Sequence, residues 1–198
     1  MHISDGVLSA PVVIGGYVAT TALAGASLYK LKPEHIPRVA IITSAFFVAS
    51  LIHIPLRPTS VHLILNGLVG MLLGPVAFIS ILVGIIFQAL LFQHGGITTI
   101  GTNALMMGLP AILSWWFFSL IRQMNVSVAG FVGGASGILF GVFILAILLV
   151  TTGSEFIGVV RIAILAHLPV MVIEGLICGS VSTFLMKVRP EIIGCKIC

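Results

Sequence analysis

The sequence predicts an all-α, polytopic membrane bundle of about seven transmembrane helices, and three observations predict it. The chain is 59% hydrophobic and only 7% charged, with mean hydropathy +1.27, whereas a soluble domain carries about 25% charged residues. Apolar runs near the roughly 20 residues needed to cross a bilayer alternate with short polar, proline-marked links. A chain of 198 residues holds about seven such spans and no sizeable soluble domain. Residues 1–198 are therefore read as one transmembrane domain, with residues 1–9 preceding its first span.

Run one covers about Ala10 to Leu28 and ends in the charged turn Lys30, Lys32, Pro33, Glu34, His35, Pro37 and Arg38. Run two, about Val39 to Ile54, leads into a loop from Pro55 to Ser60, and run three follows from Val61 to Leu73. Gly74 and Pro75 break the chain before run four, which reaches Phe92. Gln93, His94, Gly95, Gly96 and the threonines 98, 99 and 102 make a polar loop before run five, Asn103 to Ile121. Run six spans about Val128 to Val150, Thr151 to Gly158 is a loop, and run seven covers Val160 to Met186.

An odd number of spans puts the termini on opposite sides, so basic residues can indicate orientation. With the N-terminus outside, Lys30, Lys32, Arg38, Arg122, Lys187, Arg189 and Lys196 lie inside, and Arg57 and Arg161 outside. The bias predicts an outer N-terminus and a cytoplasmic C-terminus in the cell membrane. The net charge of +4 is spread singly between apolar runs, which excludes nucleic-acid binding. Cys178 lies inside an apolar run, and Cys195 and Cys198 offer only two of the four ligands of a structural zinc site.

Ahead of the first span stands Met1 His2 Ile3 Ser4 Asp5 Gly6, an α-amine one residue before a histidine. The Met1 amine, the His2 backbone nitrogen and the near His2 ring nitrogen can close two fused chelate rings on one ion. Such a set is planar, and planar nitrogen donors suit Ni(II) or Cu(II). Retention of Met1 is expected, because no positive n-region marks a signal peptide and a bulky second residue protects the initiator. The chelate then asks for a fourth donor and a pocket.

The expected topology brings His2, His53, His62, His94 and His167 to outer helix ends and leaves only His35 inside. Neutral imidazole is a common metal ligand. His62, opening run three within Thr59 Ser60 Val61 His62 Leu63, is one candidate for the fourth nitrogen; His94, beside Gly95 and Gly96, is the other. Either can equally be a helix-end histidine meeting water. Ligating imidazoles need supporting acceptors, and Asp5, Ser60, Asn66 and Asn103 are placed to serve. Glu174 is the acidic residue deep within an apolar run, two turns or about 10 Å beyond His167. That pair reads either as an ion or proton path or as a hydrogen-bonded carboxylate at a helix contact. Small residues recur four apart at Gly15 and Ala19, Ala22 and Ala26, and Gly133, Gly137 and Gly141, a spacing that lets helices approach closely.

Several motifs in one order resemble the CbiM/NikM family, the substrate-binding membrane subunits of energy-coupling-factor transporters for cobalt and nickel. They are MHISDG, TSVHL with Asn66 and Gly67 after it, QALLFQHGGITTIGTN from Gln88 to Asn103, and Glu174 Gly175. The resemblance runs from Met1 to about Ile193. It implies that the N-terminus tucks into an outward-facing pocket, where the Met1 amine, the His2 backbone and ring nitrogens and His62 hold Ni(II), with Co(II) second; Cu(II) is demoted by the resemblance alone. It also implies partners: a transmembrane coupling subunit, two cytoplasmic ATPase subunits and a small accessory membrane subunit. The chain is then no enzyme, and its lack of a GxxxxGK[ST] phosphate loop agrees, since ATP hydrolysis falls to other subunits. Met106 departs from the family, where many relatives carry Asn in an LNMG segment, so supporting roles near it do not carry over directly.

A different class is suggested by Gly134 Ala135 Ser136 Gly137, which matches the GxSG of rhomboid-type intramembrane serine proteases, with His167 in the next span. The expected topology puts Ser136 near the inner end and His167 near the outer end, beyond the roughly 3 Å that a nucleophile and its base require. A facilitative channel would want a row of polar residues along a span, and no run supplies one.

Overall fold

The computed structural model describes residues 2–51, 53–56 and 59–194, with only the backbone of 53–56 and 59–62. Cys195, Lys196 and Cys198 lie outside the described residues.

Local chemistry sets most helix boundaries. α1 (Ala10–Tyr29) and α2 (Ile36–Ser50) each carry proline in the first turn, where no intrahelical amide is needed. α6 (Val126–Thr152) starts at Asn125, whose side chain accepts the Val128 amide, the usual N-cap bond. α5 (Ile100–Ile121) and α7 (Ile157–Val188) contain Pro110 and Pro169, as membrane helices tolerate. α8 (Pro190–Gly194) is a short final turn.

Between α2 and the middle of the chain the structure departs from a plain helix. Strand β1 (His53–Leu56) pairs antiparallel with β2 (Thr59–His62), putting His53 opposite His62 and Leu56 opposite Thr59. α3 is only Asn66–Leu73 and α4 is Ala77–Phe92. Run two therefore stops at Ser50, four residues short of the expected Ile54. Run three divides into the end of β2, the link 63–65 and α3, so His62 lies in β2 and does not open a helix. The cause is local: Pro55 and Pro58 disfavour helix, and Leu65 sits at φ 54, outside the right-handed helical region. The loop expected over Thr151 to Gly158 is shorter, because α6 runs to Thr152 and α7 begins at Ile157.

Side-by-side contacts give each element its direction. Asn66 donates to the Met107 carbonyl, Gly70 packs on Ala111 and Gly74 on Trp115, so α3 runs parallel to α5. Thr43 bonds Ser80, Phe46 covers Gly84 and Ser50 accepts from Gln88, so α2 runs parallel to α4. The reversal between α3 and α4 falls at Gly74, where φ is 58. A side chain there would be strained and would press on Trp115. The chain thus traverses the bundle seven times, the third pass being β2, an extended link and the half-helix α3. By length and composition, α1, the joined stretch Asn66–Phe92, α5, α6 and Ser154–Val188 are each apolar enough to cross a bilayer, while α2 has 15 residues. This is a multi-pass membrane protein.

One end of the bundle carries the N-terminal segment and the other carries α8. The α8 end also gathers Lys30, Lys32, Arg38, Arg122, Lys187 and Arg189. Two of them do structural work there: Arg38 donates to the Leu72 and Ile192 carbonyls and Arg122 to the Ile193 carbonyl. The α6 small-residue stripe packs within the chain. Gly133 meets Met71, Gly137 meets Asn66 and Gly67, and Gly134 meets the Glu174 carbonyl and Cys178. In α1, by contrast, Gly15 faces open space, and Gly16 is the residue pressed on Thr102.

Gly70→Ala would drive its methyl into the Ala111 backbone, while Gly15→Ala meets nothing. Overpacking costs about 1–3 kcal/mol and helical alanine gains up to about 1 kcal/mol over glycine. In a detergent melt, Gly70→Ala is expected to lower Tm by about 2–10 °C and Gly15→Ala to leave it unchanged or raise it.

Candidate metal centre

The N-terminal segment descends between the helix ends and is fixed by its backbone. The Ile3 amide donates to Asn103 Oδ1 at 2.9 Å, and Asn103 Nδ2 donates back to the Ile3 carbonyl at 3.0 Å. The Thr99 hydroxyl donates to the same carbonyl at 2.8 Å. Two residues on, the Asp5 carboxylate accepts the Ile97 and Thr98 amides at 3.2 and 3.0 Å and the Thr98 hydroxyl at 2.5 Å. The segment is thus stapled on both sides of Ser4 to the α4–α5 loop and the first turn of α5.

That loop is shaped to receive it. Gly95, at φ 81, lies under Asn103 and the His2 ring, and a Cβ there would come 2.6 Å from Asn103 Nδ2 and 3.5 Å from His2 Nδ1. A Cβ on Gly96 would overlap the Asp5 carboxylate. His2 is left only 4% exposed. With Ile3, Val7, Leu145, Leu149, Phe156 and Val159 it borders a cavity of about 10 Å³, room for about one water-sized particle. The His94 ring lies with its centroid 6.0 Å from that of His2, so His94 belongs to the same neighbourhood.

The second arm is the hairpin. Ser60 and His62 lie on β2, whose side chains are outside the described residues, as is Met1; the backbone register and the segment that follows are described. Directly after β2, Glu174 Oε1 accepts the Ile64 amide at 2.5 Å and the Leu65 amide at 2.7 Å, and Oε2 accepts Leu65 at 2.9 Å. Glu174 and Ile64 are both fully buried. A buried amide left without an acceptor costs about 1–3 kcal/mol, so one carboxylate satisfies two donors that α3 cannot.

The remaining sequence candidates fall elsewhere. Asn66 is buried at mid-bundle, donating to the Met107 and Gly137 carbonyls at 3.3 Å, and so serves the α3–α5–α6 contact. His167 is not at a helix end: it is the eleventh residue of α7, 1% exposed, with Nδ1 2.7 Å from the Ala163 carbonyl. His167 and Glu174 therefore make no bond to one another, and of the two readings the structure shows the hydrogen-bonded carboxylate. Ser136 donates to the Gly133 carbonyl at 2.9 Å and also meets Ser114. Ser136 and His167 form no dyad, and the protease alternative falls. Met106 is fully buried in the apolar core. Among the described residues no three His, Cys, Asp or Glu side chains gather.

Sequence reasoning missed Thr99 and the backbone role of Asp5, Asn103 and Glu174. A signal existed for the loop: the run of Gly, Thr and Asn between two apolar helices offers hydrogen-bonding side chains and bare backbone together.

Residues 2–192 match the family described as the cobalt uptake substrate-specific transmembrane region, CbiM. A putative metal transport protein of Haemophilus influenzae is 33% identical over 97% of this chain and 96% of its own length. A cobalt transport protein CbiM of Sorangium cellulosum is 30% identical over 98% of this chain and 94% of its own. A putative fused nickel transport protein NikMN of Archaeoglobus fulgidus is 29% identical over 98% of this chain and 68% of that protein. The crystal structure of a transition metal transporter superposes with TM-score 0.84 at 25% identity, covering 96% of this chain and 95% of that one.

Asn103→Ala removes the acceptor of the Ile3 amide and one of the two donors to the Ile3 carbonyl, leaving the Thr99 hydroxyl on the carbonyl. Hydrogen–deuterium exchange at Ile3 is expected to rise by about 10–100-fold, as loss of about 1.5–3 kcal/mol of local protection implies, with the α6–α7 core unchanged.

Proposed function

Given that this chain belongs to the CbiM family and is a transmembrane component of cobalt and nickel uptake, we propose that it captures Ni(II), and secondarily Co(II), in a pocket on the outer face of the cell membrane. The Met1 amine, the His2 backbone nitrogen and the His2 ring would form the planar chelate, and His62 would close it. The observation that carries this reading is the paired bonding of Asn103 to Ile3, which fixes the backbone next to His2 while the His2 ring is buried. A chelate that uses a backbone nitrogen needs its backbone held, and the fold holds it. His94, with its ring 6.0 Å from His2, is the alternative fourth donor, and Asp5 and Asn103 are the supporting residues.

Orientation follows the charge. The basic residues at the α8 end favour that end in the cytoplasm, which puts the N-terminal segment outside. The relatives are metal transport proteins and not enzymes. The proposed partners are a coupling membrane subunit, two ATPase subunits and a small accessory membrane subunit, because this chain has no phosphate-binding loop of its own. The outward Gly15 of α1 leaves bare backbone for a neighbouring helix.

Two measurements test the chelate. A protein with one residue added before Met1 should lose affinity for Ni(II) by more than about 100-fold, beyond the cost of losing a mere supporting group; unchanged affinity and stoichiometry would remove the amine from the ligand set. Because an α-amine is protonated below about pH 8 and an imidazole below about pH 6.5, protons compete with the metal. Affinity is expected to fall by at least about tenfold from pH 8 to pH 6, and a flat profile would contradict the chelate.

A further inference from the structure

We propose that Glu174 is a positioning residue for the metal centre: it anchors the inner end of the hairpin and so sets the depth and direction at which His62 reaches the ion. This rests on the reading above that His62 is a ligand.

The anchor lies close to the ligand along the chain. Ile64 is two residues beyond His62, and at about 3.3 Å per extended residue the bond from Ile64 to Glu174 fixes the backbone about 7 Å from His62. β2 is registered along its whole length by β1, from Leu56 opposite Thr59 at the turn to His53 opposite His62, and β2 lies against α7. His62 is thus held between a register on one side and a carboxylate on the other.

The anchor is also rigid. Gly134 of α6 approaches the Glu174 backbone so closely that a Cβ there would stand 2.6 Å from the Glu174 carbonyl oxygen, and Gly175 is covered by Phe131. α6 and α7 therefore pack backbone against backbone at this level. Both carboxylate oxygens are engaged by backbone amides. The neighbouring polar group on the buried face of α7, His167, is turned to its own helix at Ala163. The carboxylate is therefore spent on the link between β2 and α3. Ligand groups need placement to within about half an ångström, and an extended link with no helical bonds of its own would not supply it.

The test is a double-mutant cycle on the full chain, read by Ni(II) affinity and by the d–d absorption of bound Ni(II). Glu174→Leu should weaken Ni(II) binding by about 10–100-fold and shift the absorption band. Glu174→Gln keeps an oxygen where Oε1 takes both amides but turns its NH2 toward the Leu65 amide in place of Oε2, and should fall between the parent and the Leu variant. In a His62→Ala background, Glu174→Leu should cost less than about twofold, since the residue it positions is gone. An equal loss in both backgrounds, no loss from Glu174→Leu, or a Gln variant as weak as the Leu variant would overturn the positioning role. If the parent binds no Ni(II), or His62→Ala binds it as the parent does, the ligand assignment itself fails, and that outcome is distinct from a failure of Glu174 alone.

Discussion

Backbone amides buried among apolar helices have no water to bond, so each needs an acceptor from the protein itself. Most residues here meet that demand by being helical. Ile3, Ile64 and Leu65 do not, because the first precedes α1 and the others precede α3. Asn103 answers for Ile3 and Glu174 for Ile64 and Leu65. These two side chains let non-helical backbone enter the bundle at two points, and the metal pocket proposed for this chain, made of backbone and terminal nitrogens, would depend on such intrusion.

The rest of the architecture makes room for the intrusions. Gly95 and Gly96 thin the α4–α5 loop so that His2 and Asp5 can lie on it, and Gly101 lets the backbone of α1 approach at Tyr17. Thr20 then bonds the Gly101 carbonyl and the Tyr17 hydroxyl bonds the Ile97 carbonyl. On the other side, Gly67, Gly133, Gly134 and Gly137 allow α3 to sit between α5, α6 and α7 at contact distances that leave no space for a side chain. Small residues at helix contacts serve close packing in membranes, where lipid is as apolar as the interior. In this chain they also set where the extended segments can pass.

Much of the bundle was legible in the sequence because crossing a bilayer imposes length and hydropathy on each span. The breaks at Lys30–Arg38, Gly74–Pro75 and Gln93–Thr99 are all real turns. The hairpin was not legible. His53–Leu56 and Thr59–His62 are short, and an apolar run of this length reads equally as helix or strand when only periodicity is available. Pro55 and Pro58 disfavour helix there, and the Ile64 and Leu65 amides that follow are taken by a carboxylate more than 100 residues away, which periodicity does not display. The neighbourhood of His2, Asp5, His94 and Asn103 was legible as a set of candidates. Their division of labour was not, since Asp5 and Asn103 act on backbone groups that no side-chain motif displays.

His167 and Glu174 show how little spacing alone decides. Two polar residues one heptad apart on the buried face of a helix invite a reading as a relay. Yet His167 satisfies Nδ1 on its own helix, and Glu174 reaches across to a different segment. A relay needs the two groups to share protons or an ion, whereas these partners are fixed backbone groups. A carboxylate bonded to two amides in an apolar interior is most useful as a geometric constraint, because both its oxygens accept backbone amides and its helix packs closely on α6. The acidic residue that looked most like machinery for moving an ion is instead bonded to the link between β2 and α3, where the positioning role proposed for it would act.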